Sequence, residues 1–165
     1  MSSSHVIRIG FVGAGAICRS RHLPNLAQIE DVEVVAVCNR SEESSNRVAD
    51  QFNIPEIETD WRRLIDRDDL DAVFIGTWPY MHREMSVAAL EAGKHVFCQA
   101  RMAGDLAEAR AMLEAAKARP DLVNMICPPP HRMPFEPYVR DMLESGKLGE
   151  LTLVELRETS GGNLN

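Results

Sequence analysis

The stretch Val6-Ile7-Arg8-Ile9-Gly10-Phe11-Val12-Gly13-Ala14-Gly15-Ala16-Ile17-Cys18 decides the fold. Its first half is β-branched and aromatic, broken only by Arg8 and Gly10, and reads as a strand over 6–12. It runs straight into Gly-Ala-Gly, after which apolar residues recur at helical spacing to about Gln28. A strand, a glycine turn and a helix in that order form the first half of a βαβ unit. The same junction is a place for a pyrophosphate. The first glycine permits the tight turn, the second lets the backbone approach closely, and the helix N-terminus offers unpaired N–H groups and a positive dipole end.

The rest of the chain repeats the alternation. Val32–Cys38 is nearly continuous in apolar residues, as a parallel strand covered on both faces should be. Ser41 then caps a helix with Glu42 and Glu43 in its first turn. Further strands are expected at 72–76, 95–98 and 122–127. Helices are expected at 61–66, 81–92 and 105–119, the last with Leu106, Ala109, Leu113 and Ala116 on its inner stripe. The fold class is α/β, with a doubly wound, mostly parallel sheet of about six strands over residues 1–127. Pro128-Pro129-Pro130 extends neither strand nor helix and reads as a connector. Beyond it, 134–145 has an amphipathic helical pattern, and 151–159 alternates like a strand with one wet face. That strand has no following partner, so residues 128–165 are expected to be a connector helix and the first strand of a second, truncated α/β domain.

Composition narrows the function classes. The chain has 165 residues, 45% of them hydrophobic and 26% charged, as in an ordinary globular protein. A net charge of −7 without a basic cluster speaks against nucleic acid or an anionic membrane as partner. The expected ligand is a small molecule. Cys18, Cys38, Cys98 and Cys127 form no metal-ligand spacing, so no metal site is expected and reduced thiols in the cytoplasm are. No signal peptide or membrane-spanning stretch is evident.

Candidate binding residues follow from the strand ends. Gly13, Gly15, Ala16 and Ile17 would surround a pyrophosphate. Asn39, at the end of the second strand, stands where an acidic residue would grip the ribose hydroxyls of NAD. Asn39 does not repel a phosphate, and Arg40 with Ser41 at a fresh helix start can hold one, which favours NADP over NAD. Thr77, Trp78, Pro79 and His82 follow the strand at 72–76 at its carboxyl end, where doubly wound sheets bind ligands. The helix dipole should favour a neutral His82 imidazole there, poised for a ribose or substrate. Cys18, near a helix start, has either a reactive thiol or a packing role, and packing is the better account.

These features together resemble the Gfo/Idh/MocA family of NAD(P)-dependent oxidoreductases. The likeness runs through Arg21-His22-Leu23-Pro24, Val37-Cys38-Asn39-Arg40, Thr77–His82, Ala92-Gly93-Lys94-His95-Val96 and Gly146-Lys147-Leu148-Gly149-Glu150. It implies a Rossmann domain binding the dinucleotide and a second α/β domain that covers the nicotinamide and binds substrate. It also implies hydride transfer to or from a sugar, polyol or related hydroxy/oxo compound, which this segment would not turn over alone; a homo-oligomer is a separate expectation, from an apolar face on the 134–145 helix that a dimer would hide.

The sequence departs from the family at one informative point. After the strand at 95–98 the family pattern is Glu-Lys-Pro, its lysine lying by the reacting carbon; this chain has Gln99-Ala100-Arg101. Gln99 remains a candidate cofactor contact, while Ala100 has no proton to give and the catalytic residue is unassigned. A non-catalytic nucleotide-binding or assembly module is therefore the alternative reading. His131 and Arg132 receive no role.

Overall fold

The computed structural model describes residues 5–127, 135–155 and 157. The chain divides into two compact units, Met1–Pro129 and Pro130–Asn165. The first contains a six-stranded sheet in the order β3-β2-β1-β4-β5-β6, formed by β1 (Ile7–Val12), β2 (Val32–Cys38), β3 (Glu56–Ile57), β4 (Ala72–Ile75), β5 (His95–Cys98) and β6 (Asn124–Ile126). Every pairing is parallel. This is the doubly wound order expected, with the reversal beside β1. One strand differs from expectation: β3 is two residues long and carries no periodic signal of its own. It exists because the chain passes the open edge of β2, where Ala36 and Val37 pair with Glu56 and Ile57.

Helices cover both faces. A π-helical turn, Cys18–His22, leads into α1 (Leu23–Leu26); α2 (Glu42–Phe52), α3 (Trp61–Ile65), α4 (Pro79–Glu91) and α5 (Leu106–Ala118) follow. Ser41 accepts from the Ser44 N–H and Asp105 from the Glu108 N–H, the side-chain caps their residue types favour. One core layer gathers Val73, Ile75, Met85, Leu90, Val96 and Met112, the other Phe11, Cys18, Leu23, Val37, Val48 and Phe74. Register places Phe11 against Phe74 and Phe74 against Phe97, so three rings stack across β1, β4 and β5 at 4.2 and 4.5 Å.

Two expectations fail in detail. On α5 the residue that faces the core is Met112, with Ala115 and Ala116 beside it, while Leu106 and Leu113 are exposed. Met112 packs into the core layer with Val73, Ile75 and Val96, while Leu106, the first residue of the helix, stays in solvent. In the second unit, α6 (Glu136–Glu144) forms as its period predicts, but residues 151–155 are irregular, with Leu153 and Val154 exposed. A strand is stable only against a neighbour, and none pairs with this segment among the described residues. Residues 156 and 158–159 of the predicted strand, and the prolines at 128–130, lie outside the described residues, as do His131 and Arg132. No helix among the described residues is long and apolar enough to cross a membrane.

The amino ends of the strands are tied by charge. Arg8 and Arg67 both pair with Asp69, and the Arg8 N–H donates to Asp71 at 2.7 Å. Lys94, almost fully buried, donates to the carbonyls of Arg67 (2.7 Å) and Leu70 (2.9 Å), which closes the connection from α3 to β4. With that edge locked, the carboxyl edge carries the loops free to meet a ligand.

Candidate functional site

Gly13 leaves β1 with φ +82°, the left-handed region that glycine alone enters cheaply. Its N–H donates to the Cys38 carbonyl at 2.9 Å, and the Gly76 N–H donates to the Val12 carbonyl at 2.7 Å, so β2 and β4 grip the turn from both sides. A Cβ on Gly13 would meet Thr77 Cγ2 at 2.6 Å, and one on Gly76 would meet Cys18 Sγ and the Gly13 carbonyl at 2.5 Å each. Gly76 was not singled out in the sequence; its close packing against the glycine turn is a tertiary fact that no local pattern announces.

Gly15 is different. A Cβ built there meets nothing within 4 Å. The backbone at Gly15 faces open space beside Ala16 and Ile17, both exposed, where the first-turn N–H groups have no intrahelical partner. A ligand can approach this backbone closely, and its donors suit a phosphate, so the residues present fit a dinucleotide. Cys18 points inward and is fully buried, and desolvation pushes its thiol up to about 11. The reactive alternative is thereby corrected: burial outweighs the helix end, and packing is the role.

Asn39 sits at the carboxyl end of β2 as expected, but its amide turns toward the protein. Oδ1 accepts from the Ala14 N–H at 2.7 Å, and Nδ2 donates to the Ser44 carbonyl at 3.0 Å and to Ser44 Oγ at 3.2 Å. Both N–H donors are used, and one lone pair of Oδ1 remains. Asn39 therefore pins the glycine turn to the start of α2. Arg40 is exposed and its guanidinium makes no hydrogen bond or ion pair among the described residues; Ser41 beside it is exposed at the N-cap of α2.

After β4, Thr77 is half-buried and Trp78 is 71% exposed, its ring open to solvent at the carboxyl edge. Pro79 opens α4, two residues earlier than the sequence suggests, a position where its missing N–H costs nothing. The expectation for His82 is corrected. Its side chain is 0% exposed, with Nδ1 2.9 Å from the Arg101 carbonyl and Nε2 2.9 Å from the Thr77 carbonyl. Because α4 starts at Pro79, residue 82 falls on its inner face, so the imidazole joins the loops after β4 and β5 and is not presented to a ligand.

Gln99 follows β5. Its N–H donates to the Ile75 carbonyl at 2.8 Å, and Oε1 accepts from His22 Nε2 at 2.8 Å. His22 lies over Phe74 with ring centroids 4.8 Å apart, and sequence reasoning missed this arrangement because His22 meets Gln99 77 residues away. Hydrogen bonds thus join Thr77, His82 and Arg101, and separately Gln99 and His22, around the carboxyl ends of β4 and β5. Ala100 is half-buried, and Arg101 is exposed. No group of three or more His, Cys, Asp or Glu able to hold a metal occurs among the described residues.

Comparison with known proteins agrees with this geometry. The sequence pattern of the "Oxidoreductase family, NAD-binding Rossmann fold" (Gfo/Idh/MocA) matches residues 7–126. A 4-carboxy-2-hydroxymuconate-6-semialdehyde dehydrogenase from a Sphingobium species is 32% identical over 86% of this chain and 44% of its own length. A scyllo-inositol 2-dehydrogenase (NADP(+)) of Bacillus subtilis is 34% identical over 68% of this chain and 34% of its own. The crystal structure of a 3-ketoreductase from Actinomadura kijaniata, in complex with TDP-benzene and NADP, superposes with a TM-score of 0.73 at 31% identity, over 85% of this chain and 44% of that one. The chain spans less than half the length of these relatives.

Proposed function

Since this chain belongs to the Gfo/Idh/MocA oxidoreductase family, as its NAD(P)-binding Rossmann portion, we propose that it holds the dinucleotide for an oxidoreductase acting on a sugar, polyol or related hydroxy/oxo compound. The observation that carries this reading is the open backbone at Gly15, next to a glycine turn held tightly at Gly13 and Gly76. When bound, the nicotinamide ring donates or accepts the hydride. The relatives named above support the substrate class, being a semialdehyde dehydrogenase, an inositol dehydrogenase and a ketoreductase. Residues 1–127 form the dinucleotide domain in this reading, and 128–165 open a substrate domain, so residues 1–165 do not turn over alone.

Each residue has a part. Gly13, Gly15, Ala16 and Ile17 receive the pyrophosphate on backbone N–H groups. Arg40 and Ser41 hold the 2′-phosphate of NADP, which a guanidinium and a helix start favour and Asn39 does not repel. Asn39 keeps the glycine turn in place beneath them. Thr77, Trp78, Pro79 and Gln99 line the half of the site beyond β1, and His82 positions the two loops that carry them. The enzyme works in the cytoplasm, where four cysteines without a disulfide are at home, and assembles as a homo-oligomer. A second reading, a nucleotide-binding module without catalysis, is favoured by Ala100, which offers neither charge nor proton where the family pattern has its lysine.

Calorimetric titration of the chain with NADPH and with NADH tests the cofactor reading. Tighter NADPH binding, weakened roughly tenfold or more by Arg40→Ala (about 1.4 kcal/mol) with NADH unaffected, is the expected result. Failure of both cofactors to bind at millimolar concentration would remove the argument from the open backbone at Gly15.

A further inference from the structure

The described arginines differ by edge. At the amino ends of the strands Arg8 and Arg67 are held by carboxylates, Arg8 by Glu33 and Asp69, Arg67 by Asp69 and Glu56. At the carboxyl ends Arg19, Arg21, Arg40 and Arg101 make no guanidinium hydrogen bond or ion pair among the described residues; Arg83 and Arg110, on helix surfaces, are the others without one. The chain as a whole carries a net charge of −7, so these guanidinium groups are unpaired in a chain with an excess of carboxylates.

Arg101 is the most constrained of the four at that edge. Its segment is fastened by the Gln99 N–H to the Ile75 carbonyl (2.8 Å), by Gln99 Oε1 to His22 (2.8 Å) and by its own carbonyl to His82 (2.9 Å). The nearest carboxylates downstream in sequence accept from backbone amides, Asp105 from the Glu108 N–H at 2.8 Å and Glu108 from the Gly104 N–H at 2.9 Å, and neither pairs with Arg101. The backbone is thus fixed while the side chain stays exposed and without a partner among the described residues, so a ligand would have only the side chain to order. Sheet order separates it from Arg40: Arg40 follows β2 on one side of β1, and Arg101 follows β5 on the other. If the pyrophosphate lies at the β1 turn, the two arginines serve opposite halves of the site.

We infer that Arg101 binds an oxyanion, a carboxylate or phosphate carried by the substrate, in the half of the site away from the adenosine. This rests on the dinucleotide reading above for which half is which. Arginine suits the task because its planar fork takes two oxygens at once and stays charged at any working pH. Within the sugar, polyol and hydroxy/oxo class proposed above, the substrate is then a member that carries an oxyanion.

The test is a two-dimensional NMR titration of the 165-residue chain, following arginine Nε–Hε and the amides of residues 99–103. Malonate and inorganic phosphate are the probes, each with and without saturating NADPH, and sodium chloride at matched ionic strength is the control. Saturable shifts near residue 101 are expected at millimolar probe, weakened tenfold or more by Arg101→Gln and less than threefold by Arg101→Lys. A response to malonate alone identifies a carboxylate substrate and to phosphate alone a phosphorylated one; either supports the inference. Shifts that chloride reproduces, equal binding by Arg101→Gln, or displacement of NADPH by the probes would overturn it. NADPH affinity within twofold of wild type in Arg101→Gln separates this site from the cofactor's. If NADPH itself fails to bind, the cofactor reading falls while the titrations without cofactor still decide on Arg101.

Discussion

His82 bridges two carbonyl oxygens that belong to different loops, that of Thr77 after β4 and that of Arg101 after β5, each 2.9 Å from a ring nitrogen. The side chain is fully buried, so the ring fills space as well as joining polar groups. Replacing it with alanine leaves a cavity and removes the ring N–H donor from beside these two carbonyl oxygens. His82→Ala should cost about 2 to 4 kcal/mol, read as a lower urea midpoint at unchanged slope. His82→Leu, which restores volume without donors, should recover part of that loss. Full recovery by leucine would mean that packing alone matters at this position.

The cysteines separate by burial. Desolvation pushes Cys18, Cys38 and Cys98 each up to about 11, while Cys127 is half-buried. The thiolate is the reacting form, so a buried thiol of raised pKa is slow. Brief iodoacetamide treatment of the native chain at pH 8 should give one adduct, at Cys127, and four after unfolding, counted by mass spectrometry. Equal labelling of Cys18 would show that the glycine turn opens far more often than its packing against Gly76 implies.

Most of the sheet was legible because parallel strands buried on both faces write themselves as continuous apolar runs, as Val32–Cys38 does. The glycine turn was legible for a similar reason, since a positive φ at Gly13 needs a particular residue. Three things were not. β3 is recruited by an open edge and has no pattern of its own; Met112 packs into the core where the leucine stripe was expected; and the strand pattern at 151–155 has nothing to pair with. At the candidate site, the residue types at strand ends pointed to the carboxyl edge of the sheet, but the direction of a side chain depends on partners distant in sequence. Asn39 turns to Ala14, Gln99 to His22 and His82 to Arg101, and each partner lies on another element.

The charged edge opposite the site predicts a pH dependence. Asp69 accepts two bonds from Arg67 and one from Arg8, all at 2.9 Å, and these guanidinium groups, Arg67 first, hold its carboxyl well below the usual range. A carboxyl depressed in the folded state stabilises that state above its unfolded pKa of about 3.9, and the contribution is lost as pH falls through the folded value. Because the side chain is 40% exposed, salt screens the effect. Asp69→Asn should therefore lower Tm by a few degrees at pH 7, with the gap to wild type narrowing below pH 4 and in 0.5 M salt. A gap that held constant down to pH 2.5 would count against the pairing. Calorimetric scans at the two pH values decide it.

Gly15 and Gly76 stand a few ångströms from the same turn and should respond to one extra methyl in opposite ways. A methyl on Gly76 falls 2.5 Å from Cys18 Sγ and 2.5 Å from the Gly13 carbonyl, against backbone and a buried side chain that cannot move aside freely. Overpacking of that kind costs about 1 to 3 kcal/mol, so Gly76→Ala should lose stability and, by pushing the turn outward, cofactor binding with it. A methyl on Gly15 meets nothing within 4 Å. Gly15→Ala should leave Tm unchanged or slightly raised, since alanine narrows the unfolded ensemble, yet weaken NADPH binding at least tenfold because the methyl occupies the open space beside this backbone. Thermal scans and calorimetric titration of the two variants separate the effects: stability lost at Gly76, affinity lost at Gly15 without loss of stability. Should Gly15→Ala bind NADPH as tightly as wild type, the space beside Gly15 is not where the pyrophosphate rests.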